Sequence, residues 1–212
     1  MNAASTEIVF LLFDGVAPLD AVGPYEVLQH VPGASITIAA REPGPCRADG
    51  PGLALVAEAA YTDTAPDVLV VPGGVGTRTL VNDQGLLEWL REAHANTRYT
   101  TSVCTGALLL GAAGILDGVD ATTHWAFRDA LADLGATPVP ERVVERGKVI
   151  TAAGVSSGID MGLTLAARLA GDDVARAIQL GIEYDPQPPF DSGSVEKADA
   201  QTVELVRTLL TA

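Results

Sequence analysis

One cysteine, Cys104, stands where a strand pattern gives way to a helix pattern, and this stretch has the residues for nucleophilic chemistry. Residues 99–103 (YTTSV) are rich in β-branched side chains and predict a short strand, whereas residues 105–113 are small or apolar and predict a tightly packed helix. Such a turn presents its corner side chain to a cleft, with the free N–H groups of the first helical turn beside it. A helix N-terminus also lowers the pKa of a thiol. The pattern predicts a nucleophilic or redox-active cysteine, with a buried, space-filling thiol as the alternative.

A glycine-rich loop follows another predicted strand. Residues 67–71 (DVLVV) read as a strand buried on both faces, and PGGVG comes directly after it. Ligands bind outside the carboxyl ends of the strands in open α/β sheets, so we expect this loop to lie near Cys104. The loop lacks the lysine of a phosphate-binding loop. Gly73 and Gly74 would instead let backbone N–H groups approach a reacting atom, as an oxyanion hole requires, and a plain strand-to-helix turn is the alternative.

Asp20 is a carboxylate in an otherwise apolar run, PLDAVGP, which follows the first predicted strand at residues 7–13. Apolar neighbours remove water from a carboxylate and raise its pKa, so we expect Asp20 to stay protonated more readily than usual. If it faces Cys104, it would serve as a general acid–base group. Capping a helix is the alternative role.

The three histidines and the second cysteine give weaker indications of a catalytic or binding role. His124 follows a short strand pattern at residues 121–123 and is predicted to approach the cysteine and help bind substrate, although no third member of a Cys–His–Asp triad is evident. His30 and His94 fall on predicted surface helices, and Cys46 lies in a proline-rich loop. None of these residues has metal-ligand spacing, so we expect neither a metal nor a cofactor.

Composition limits the classes of function. The 212 residues are 48% hydrophobic and 19% charged, which predicts one α/β domain over residues 1–212. A formal charge of −14 argues against nucleic acids and anionic membranes as partners. Two cysteines make no disulfide framework and favour a reducing, cytoplasmic location. The N-terminal stretch lacks the features of a signal peptide, and no apolar window is long enough for a membrane span.

Strand and helix patterns alternate along the chain, which predicts a mostly parallel sheet with helices on both faces. A further strand is predicted at 35–40 and a hairpin at 142–145 with 148–151. Pro24 is expected to break or kink the helix predicted between Pro18 and Val31. The other predicted helices span 82–95, 127–134, 156–170, 172–183 and 200–210.

The chain resembles the ThiJ/PfpI superfamily, whose members are relatives of the class I glutamine amidotransferases. The resemblance rests on VCTGALLLGAAGILDG followed by ATTHW, with PGG upstream. The stretches LDAVGP, ERVVERGKVITAAGVSSGID and QLGIEYDPQPPF are similar to the bacterial isocyanide hydratases within that superfamily. The VCTG–TTHW pair also occurs in AraC-type regulators, but this sequence shows no basic recognition helix.

The resemblance implies a flavodoxin-like three-layer sandwich, a homodimer and a nucleophile at Cys104. It also implies an acid partner at Asp20, a role for Thr105, and a site lined by backbone groups of Gly73, Gly74 and Thr105. Proteases of the superfamily have histidine directly after the cysteine, so Thr105 argues against peptidase activity. Aspartate where other relatives have glutamate favours the hydratase branch.

The resulting hypothesis is the hydration of a small apolar isocyanide to an N-substituted formamide through a thioimidate on Cys104. Its partners would be that substrate and water, without a cofactor. Two alternatives remain at this stage. One is a module that senses a metabolite or an oxidant through Cys104, and the other is a glyoxalase-like activity on a small carbonyl compound at the same cysteine.

Overall fold

Seven strands form a mostly parallel sheet in this computed structural model, which describes residues 5–211. The strand order is β10-β11-β7-β6-β1-β2-β5, and β10 with β11 is its antiparallel pair. Two further pairs, antiparallel β3-β4 and parallel β8-β9, lie outside this sheet. The strands are β1 (Thr6–Leu11), β2 (Ala34–Ala40), β3 (Gly44–Arg47), β4 (Ala54–Ala57), β5 (Ala59–Ala60), β6 (Val68–Val71), β7 (Tyr99–Val103), β8 (Asp120–Ala121), β9 (Thr137–Pro138), β10 (Val143–Arg146) and β11 (Val149–Ala152).

Helices flank the sheet in two groups. One group consists of α1, α6 and α7, and the other is built around α4 with α2, α3 and α5. The predicted parallel sheet with helices on both faces is therefore confirmed. The helices are α1 (Pro18–Leu28), α2 (Thr77–Leu80), α3 (Gln84–Asn96), α4 (Gly106–Ala112), α5 (Arg128–Asp133), α6 (Ser157–Ala170), α7 (Asp172–Gly181) and α8 (Ala200–Thr211), and 3-10 turns lie at Tyr61–Asp63 and Trp125–Phe127.

The central strands β1 and β6 are almost wholly apolar and lack alternation because both of their faces are covered. All four residues of β6 are buried, as are all four of β11 and the last four of β1. Parallel strands need this double burial, since the crossover helices lie on both sides. The sheet centre, formed by β1, β6 and β7, therefore holds the core together and fixes where the loops at its carboxyl edge begin.

Pro24 does not break α1, so the part of the sequence prediction that expected a break is wrong. The helix runs through it from Pro18 to Leu28. Pro24 faces α6, where two glycines make room for it: a Cβ on Gly158 would lie 3.1 Å from the Pro24 ring and one on Gly162 would lie 3.3 Å from its Cα. Tertiary packing of α1 against α6 thus keeps a helix that local propensity disfavours.

The proline-rich segment predicted as a loop contains strand β3. Residues of β3 pair with those of β4 in an antiparallel hairpin. This hairpin continues into a bridge between Val16 and Ala48 and a hydrogen bond from the Asp49 N–H to the Val16 carbonyl, 2.9 Å long. The hairpin therefore braces the segment that follows β1.

The chain divides into two compact units, and the first ends at Ile182 while the second begins at Glu183. The second unit carries α8, whose first turn is capped by the Asp199 carboxylate accepting the Thr202 N–H at 2.7 Å. That residues 1–212 form a single domain therefore stays a prediction from the sequence. Within residues 5–211, no helix has both the length and the apolar character needed to traverse a bilayer.

Candidate active site

Cys104 occupies a strained corner between β7 and α4. Its φ is +57°, a left-handed conformation that costs a residue with a side chain about 1–2 kcal/mol. Its N–H donates to the Ala153 carbonyl at 2.8 Å and its carbonyl accepts the Thr123 hydroxyl at 2.8 Å. A Cβ on Gly106 would lie 2.1 Å from the Val71 carbonyl oxygen, so the turn depends on glycine there. The predicted strand–cysteine–helix corner is present.

Asp20 is fully buried in the first turn of α1. Its Oδ2 accepts the Gly73 N–H at 2.9 Å, and its Oδ1 has no hydrogen-bond partner among residues 5–211. Burial raises the pKa of the carboxyl from 3.8 to about 7, although the Gly73 N–H and the Cys104 side chain oppose the rise. Asp20 and Cys104 lie close enough for each side chain to shift the pKa of the other.

The Cys104 thiol is buried as well, and its environment favours the neutral form. Burial raises its pKa from 9.0 to about 12, and the negative charge of Asp20 adds to the rise. The N–H groups of Val155 and Thr105 lower the pKa but do not reverse the shift. A helix terminus alone predicts a lowered pKa; here α4 has only seven residues, and the loss of water around the sulfur dominates.

Thr105 joins the cysteine corner to the glycine loop. Its hydroxyl oxygen accepts the Gly74 N–H at 3.0 Å, and it also lies 3.3 Å from the Gly74 carbonyl oxygen. The Gly73 N–H is bound to Asp20, so both amides are occupied within the protein. Their approach to a reacting atom, as in an oxyanion hole, stays a prediction; in this structure the two N–H groups bind the Asp20 carboxylate and the Thr105 hydroxyl.

We expect Gly73→Ala to disrupt this cluster. A Cβ there would lie 2.6 Å from both the Thr105 nitrogen and its hydroxyl oxygen, and 2.9 Å from Asp20 Oδ2. Such overpacking costs about 1–3 kcal/mol and moves the groups it touches. Urea unfolding should show this loss, whereas Gly85→Ala, whose Cβ has only an ordinary 3.6 Å contact and lies in α3, should be at least as stable as the wild type. Equal stabilities for the two variants would contradict the packing argument.

His124 makes other contacts than those predicted. Within residues 5–211 its imidazole has no hydrogen bond to Cys104 or Asp20; Nδ1 accepts the Ala126 N–H at 3.3 Å and the ring stacks on Trp125. Burial and the positive charge of Arg128 lower its pKa, which favours the neutral imidazole. The preceding residue, Thr123, contacts the corner instead, because its hydroxyl donates a hydrogen bond to the Cys104 carbonyl. A role for His124 in substrate binding stays a prediction.

The remaining candidates have structural contacts. His30 is exposed and lies 3.8 Å from Glu26, and the His94 ring hydrogen-bonds the Thr100 hydroxyl at 2.8 Å. Cys46 is buried in β3, and burial raises the pKa of its thiol. In the described part of the chain, no three His, Cys, Asp or Glu side chains are grouped to hold a metal ion.

Sequence reasoning missed Val155. Its N–H reaches the Cys104 sulfur from the loop between β11 and α6. The signal was available, because the stretch ITAAGVSSG is another strand that turns into a helix through small residues, as at Cys104. The loops after β1, β6, β7 and β11 thus all contribute to this site, as expected at the carboxyl edge of a parallel sheet.

Comparison with known proteins gives the family. The family model described as DJ-1/PfpI matches residues 6–168, which include every strand of the sheet, α1 to α5 and most of α6. The chain belongs to the DJ-1/PfpI family. The resemblance drawn from the VCTG and ATTHW motifs is therefore confirmed.

Relatives within the DJ-1/PfpI family carry different names. The chain is 46% identical to a Pseudomonas putida protein named isonitrile hydratase, over 95% of this chain and 88% of that protein. It is 31% identical to the Arabidopsis thaliana protein DJ-1 homolog A, over 89% of this chain but 49% of that protein. A crystal structure of a ThiJ/PfpI family protein from Pseudomonas syringae superposes with a TM-score of 0.94 at 40% identity, covering 98% and 87% of the two chains.

Proposed function

We propose that this DJ-1/PfpI protein hydrates isocyanides, R–N≡C, to N-substituted formamides. The observation that carries the proposal is the 46% identity, over nearly the whole of both chains, to a protein named isonitrile hydratase. The buried Asp20 beside the Cys104 thiol supports it, because this pair supplies a nucleophile together with a group able to move its proton. An isocyanide is neutral and apolar, which suits a site whose titratable pair is held away from water.

The first step adds the thiol across the terminal carbon of the isocyanide. The Cys104 sulfur forms a bond to that carbon while its S–H bond breaks and the proton passes to ionised Asp20. Asp20 then delivers the proton to the same carbon, giving the thioimidate R–N=CH–S–Cys104. A general base must accompany the attack because the thiol is neutral at pH 7, and a carboxyl with a pKa of about 7 suits both halves of this transfer.

The second step consumes one water molecule. Water adds to the thioimidate carbon and the nitrogen gains a proton, giving R–NH–CH(OH)–S–Cys104. The C–S bond then breaks, the hydroxyl proton returns through Asp20 to the sulfur, and the formamide R–NH–CHO leaves. The sum is one isocyanide plus one water, with the thiol and carboxyl regenerated, so no cofactor takes part. Splitting the reaction through a covalent intermediate replaces one difficult step by two easier ones.

Thr105 positions the glycine loop that in turn binds Asp20. Thr105→Val keeps the shape of the side chain but removes the oxygen that accepts the Gly74 N–H at 3.0 Å. We expect it to lower kcat/KM for an isocyanide by about 10-fold or more, since a buried N–H left without a partner costs about 1–3 kcal/mol. Thr105→Ser retains the oxygen and should stay within about threefold of the wild type. An equal loss of kcat/KM in Thr105→Val and Thr105→Ser would show that the hydroxyl does not position the glycine loop.

A substrate panel tests the proposed function directly. Purified protein is mixed with an aromatic isocyanide, an aliphatic isocyanide and methylglyoxal, and formamide or lactate is quantified by chromatography. Catalytic turnover of the isocyanides without lactate formation is the expected result. Lactate alone would instead support a glyoxalase-like activity. Peroxide oxidation of Cys104 without any turnover would support a sensor, although a buried thiol with a raised pKa is poorly suited to that role.

We further propose that the protein works as a homodimer in the cytoplasm. Two apolar side chains of α1, Leu19 and Val22, are 42% and 41% exposed in the single chain, beside buried Asp20. A second copy of the chain packed against α1 would bury them. The two free cysteines fit a reducing compartment. A mass in solution of twice that of the chain is expected, and light scattering measures it.

A further inference from the structure

A cavity lies near the candidate active site, and Cys104, Asp20 and Thr105 are not among the residues that line it. Its volume is about 490 Å³, within the range of small-molecule sites. It opens at the carboxyl ends of β1 and β2, beneath β3 and beside α2 and α3. The segment after β1 separates it from the active site: Asp14 lines the cavity, while Ala17, three residues later, donates its N–H to the Gly73 carbonyl.

The floor of this cavity is apolar and consists of buried, closely packed side chains. Leu12, Phe13, Tyr61 and Leu86 line it, and all four side chains are at least nine-tenths buried. The Tyr61 ring packs on Trp89 with 4.7 Å between the ring centroids, which fixes one wall. Cys46 also lines the cavity, and burial together with the nearby charge of Asp14 raises the pKa of its thiol, so it adds no charge. An apolar group the size of an aromatic ring suits this floor.

The rim of the cavity is charged, and the negative groups outnumber the positive one. Arg41 lines the rim but is bound to Asp83, the residue that caps α3. Asp14 and Glu42 also line the cavity, and the Arg41 guanidinium interacts electrostatically with Glu42 as well as with Asp83. The Oδ1 atom of Asp14 accepts the Arg47 N–H at 2.8 Å, and its Oδ2 atom takes no part in that hydrogen bond. The carboxylates of Asp14, Glu42 and Asp83 therefore outweigh the single positive charge of Arg41 at this rim, on a chain of formal charge −14.

We propose that this cavity is a binding site for a small amphipathic organic cation, an ammonium carried on an aromatic or branched aliphatic body. The apolar body lies against Tyr61, Phe13 and Leu86. The ammonium lies at the rim, where Asp14 and Glu42 attract it. The same two charges repel carboxylates and phosphates, so the site selects by charge among ligands of equal size. This binding is separate from the isocyanide chemistry and does not depend on it.

Binding of three benzyl compounds of similar shape tests the proposal. Affinities of benzylammonium, benzyl alcohol and benzoate are measured at pH 7 and low ionic strength by calorimetry or ligand-observed NMR. Benzylammonium should bind at least about tenfold more tightly than benzyl alcohol, and benzoate should be the weakest. Added salt should reduce the preference for the cation. Benzylammonium binding no more tightly than benzyl alcohol would overturn the proposal.

Variants locate the binding. Asp14→Asn/Glu42→Gln keeps the shapes, and Asn still accepts the Arg47 N–H; it should erase the tenfold preference while leaving the benzyl alcohol affinity unchanged. Asp133→Asn, an exposed charge change on α5, should preserve the preference. Cys104→Ala should bind benzylammonium like the wild type, which separates this cavity from the candidate active site. A preference that persists in the double variant, or that is lost in Cys104→Ala, contradicts the assignment. Isocyanide turnover is measured separately, so either proposal can fail alone.

Discussion

Cys104→Ala should lower kcat for isocyanide hydration by at least about 10⁴-fold, because the proposed reaction has no other group to form the thioimidate. Protein stability should change little. Alanine keeps a Cβ at the same φ of +57°, so the strain of the corner is retained, and the substitution removes a single buried sulfur atom from the core. Loss of activity in a folded variant would then reflect lost chemistry, which far-UV circular dichroism and urea unfolding verify.

Cys46→Ala is the matched control for this substitution. Both cysteines are buried, yet only Cys104 neighbours Asp20. The control should keep its turnover, and acid-quenched samples should show a mass increase equal to that of the isocyanide. The same increase should be absent from Cys104→Ala. Full turnover by Cys104→Ala would refute the mechanism.

Asp20→Asn should have two opposite effects, a loss of activity and a gain of stability above pH 7. Asparagine still accepts the Gly73 N–H but cannot take the thiol proton, so kcat/KM should fall by about 10²–10⁴-fold. In the wild type, kcat/KM should rise as the pH rises through about 7, where Asp20 ionises. A flat wild-type profile between pH 5.5 and 8.5 would contradict the assignment of Asp20 as the base.

The gain of stability follows from the direction of the pKa shift. The carboxyl titrates at about 7 in the folded protein against 3.8 when unfolded, so between these values the folded state binds the extra proton. Its contribution to the free energy of unfolding is therefore greatest in acid and is lost as the pH rises to about 7, a change of about 4 kcal/mol.

Asp20→Asn lacks this dependence. Relative to the wild type, the variant should gain several kcal/mol on going from pH 4.5 to pH 8, measured by urea unfolding at both values. Other acids, such as Asp83 with its lowered pKa, contribute equally to both proteins and cancel in the difference. Asp133→Asn on exposed α5 serves as the control and should show no such gain. A difference between wild type and Asp20→Asn that does not vary with pH would show that Asp20 is not desolvated.

Local sequence pattern was sufficient for most of the fold. The apolar runs that became β1 and β6, the strand β7 at its full length and the amphipathic helices α3 and α6 all follow from periodicity, because these segments are buried as their patterns indicate. Pro24 was misjudged because the two α6 glycines that accommodate it are more than 130 residues away. Strand β3 was missed because proline and glycine mask a short hairpin whose pairing partner is β4.

The sequence by itself determined the components of the candidate site: a cysteine at a strand–helix corner, a carboxylate in an apolar run, a glycine loop and a threonine after the cysteine. Only the tertiary structure decided how they act on one another. It put Asp20 on the Gly73 amide, Thr105 on the Gly74 amide and the Val155 amide on the sulfur. It also reversed the expected direction of the thiol pKa. The physical reason is that hydrogen-bond partners and desolvation depend on distances between segments far apart in sequence, whereas periodicity and turn chemistry are local.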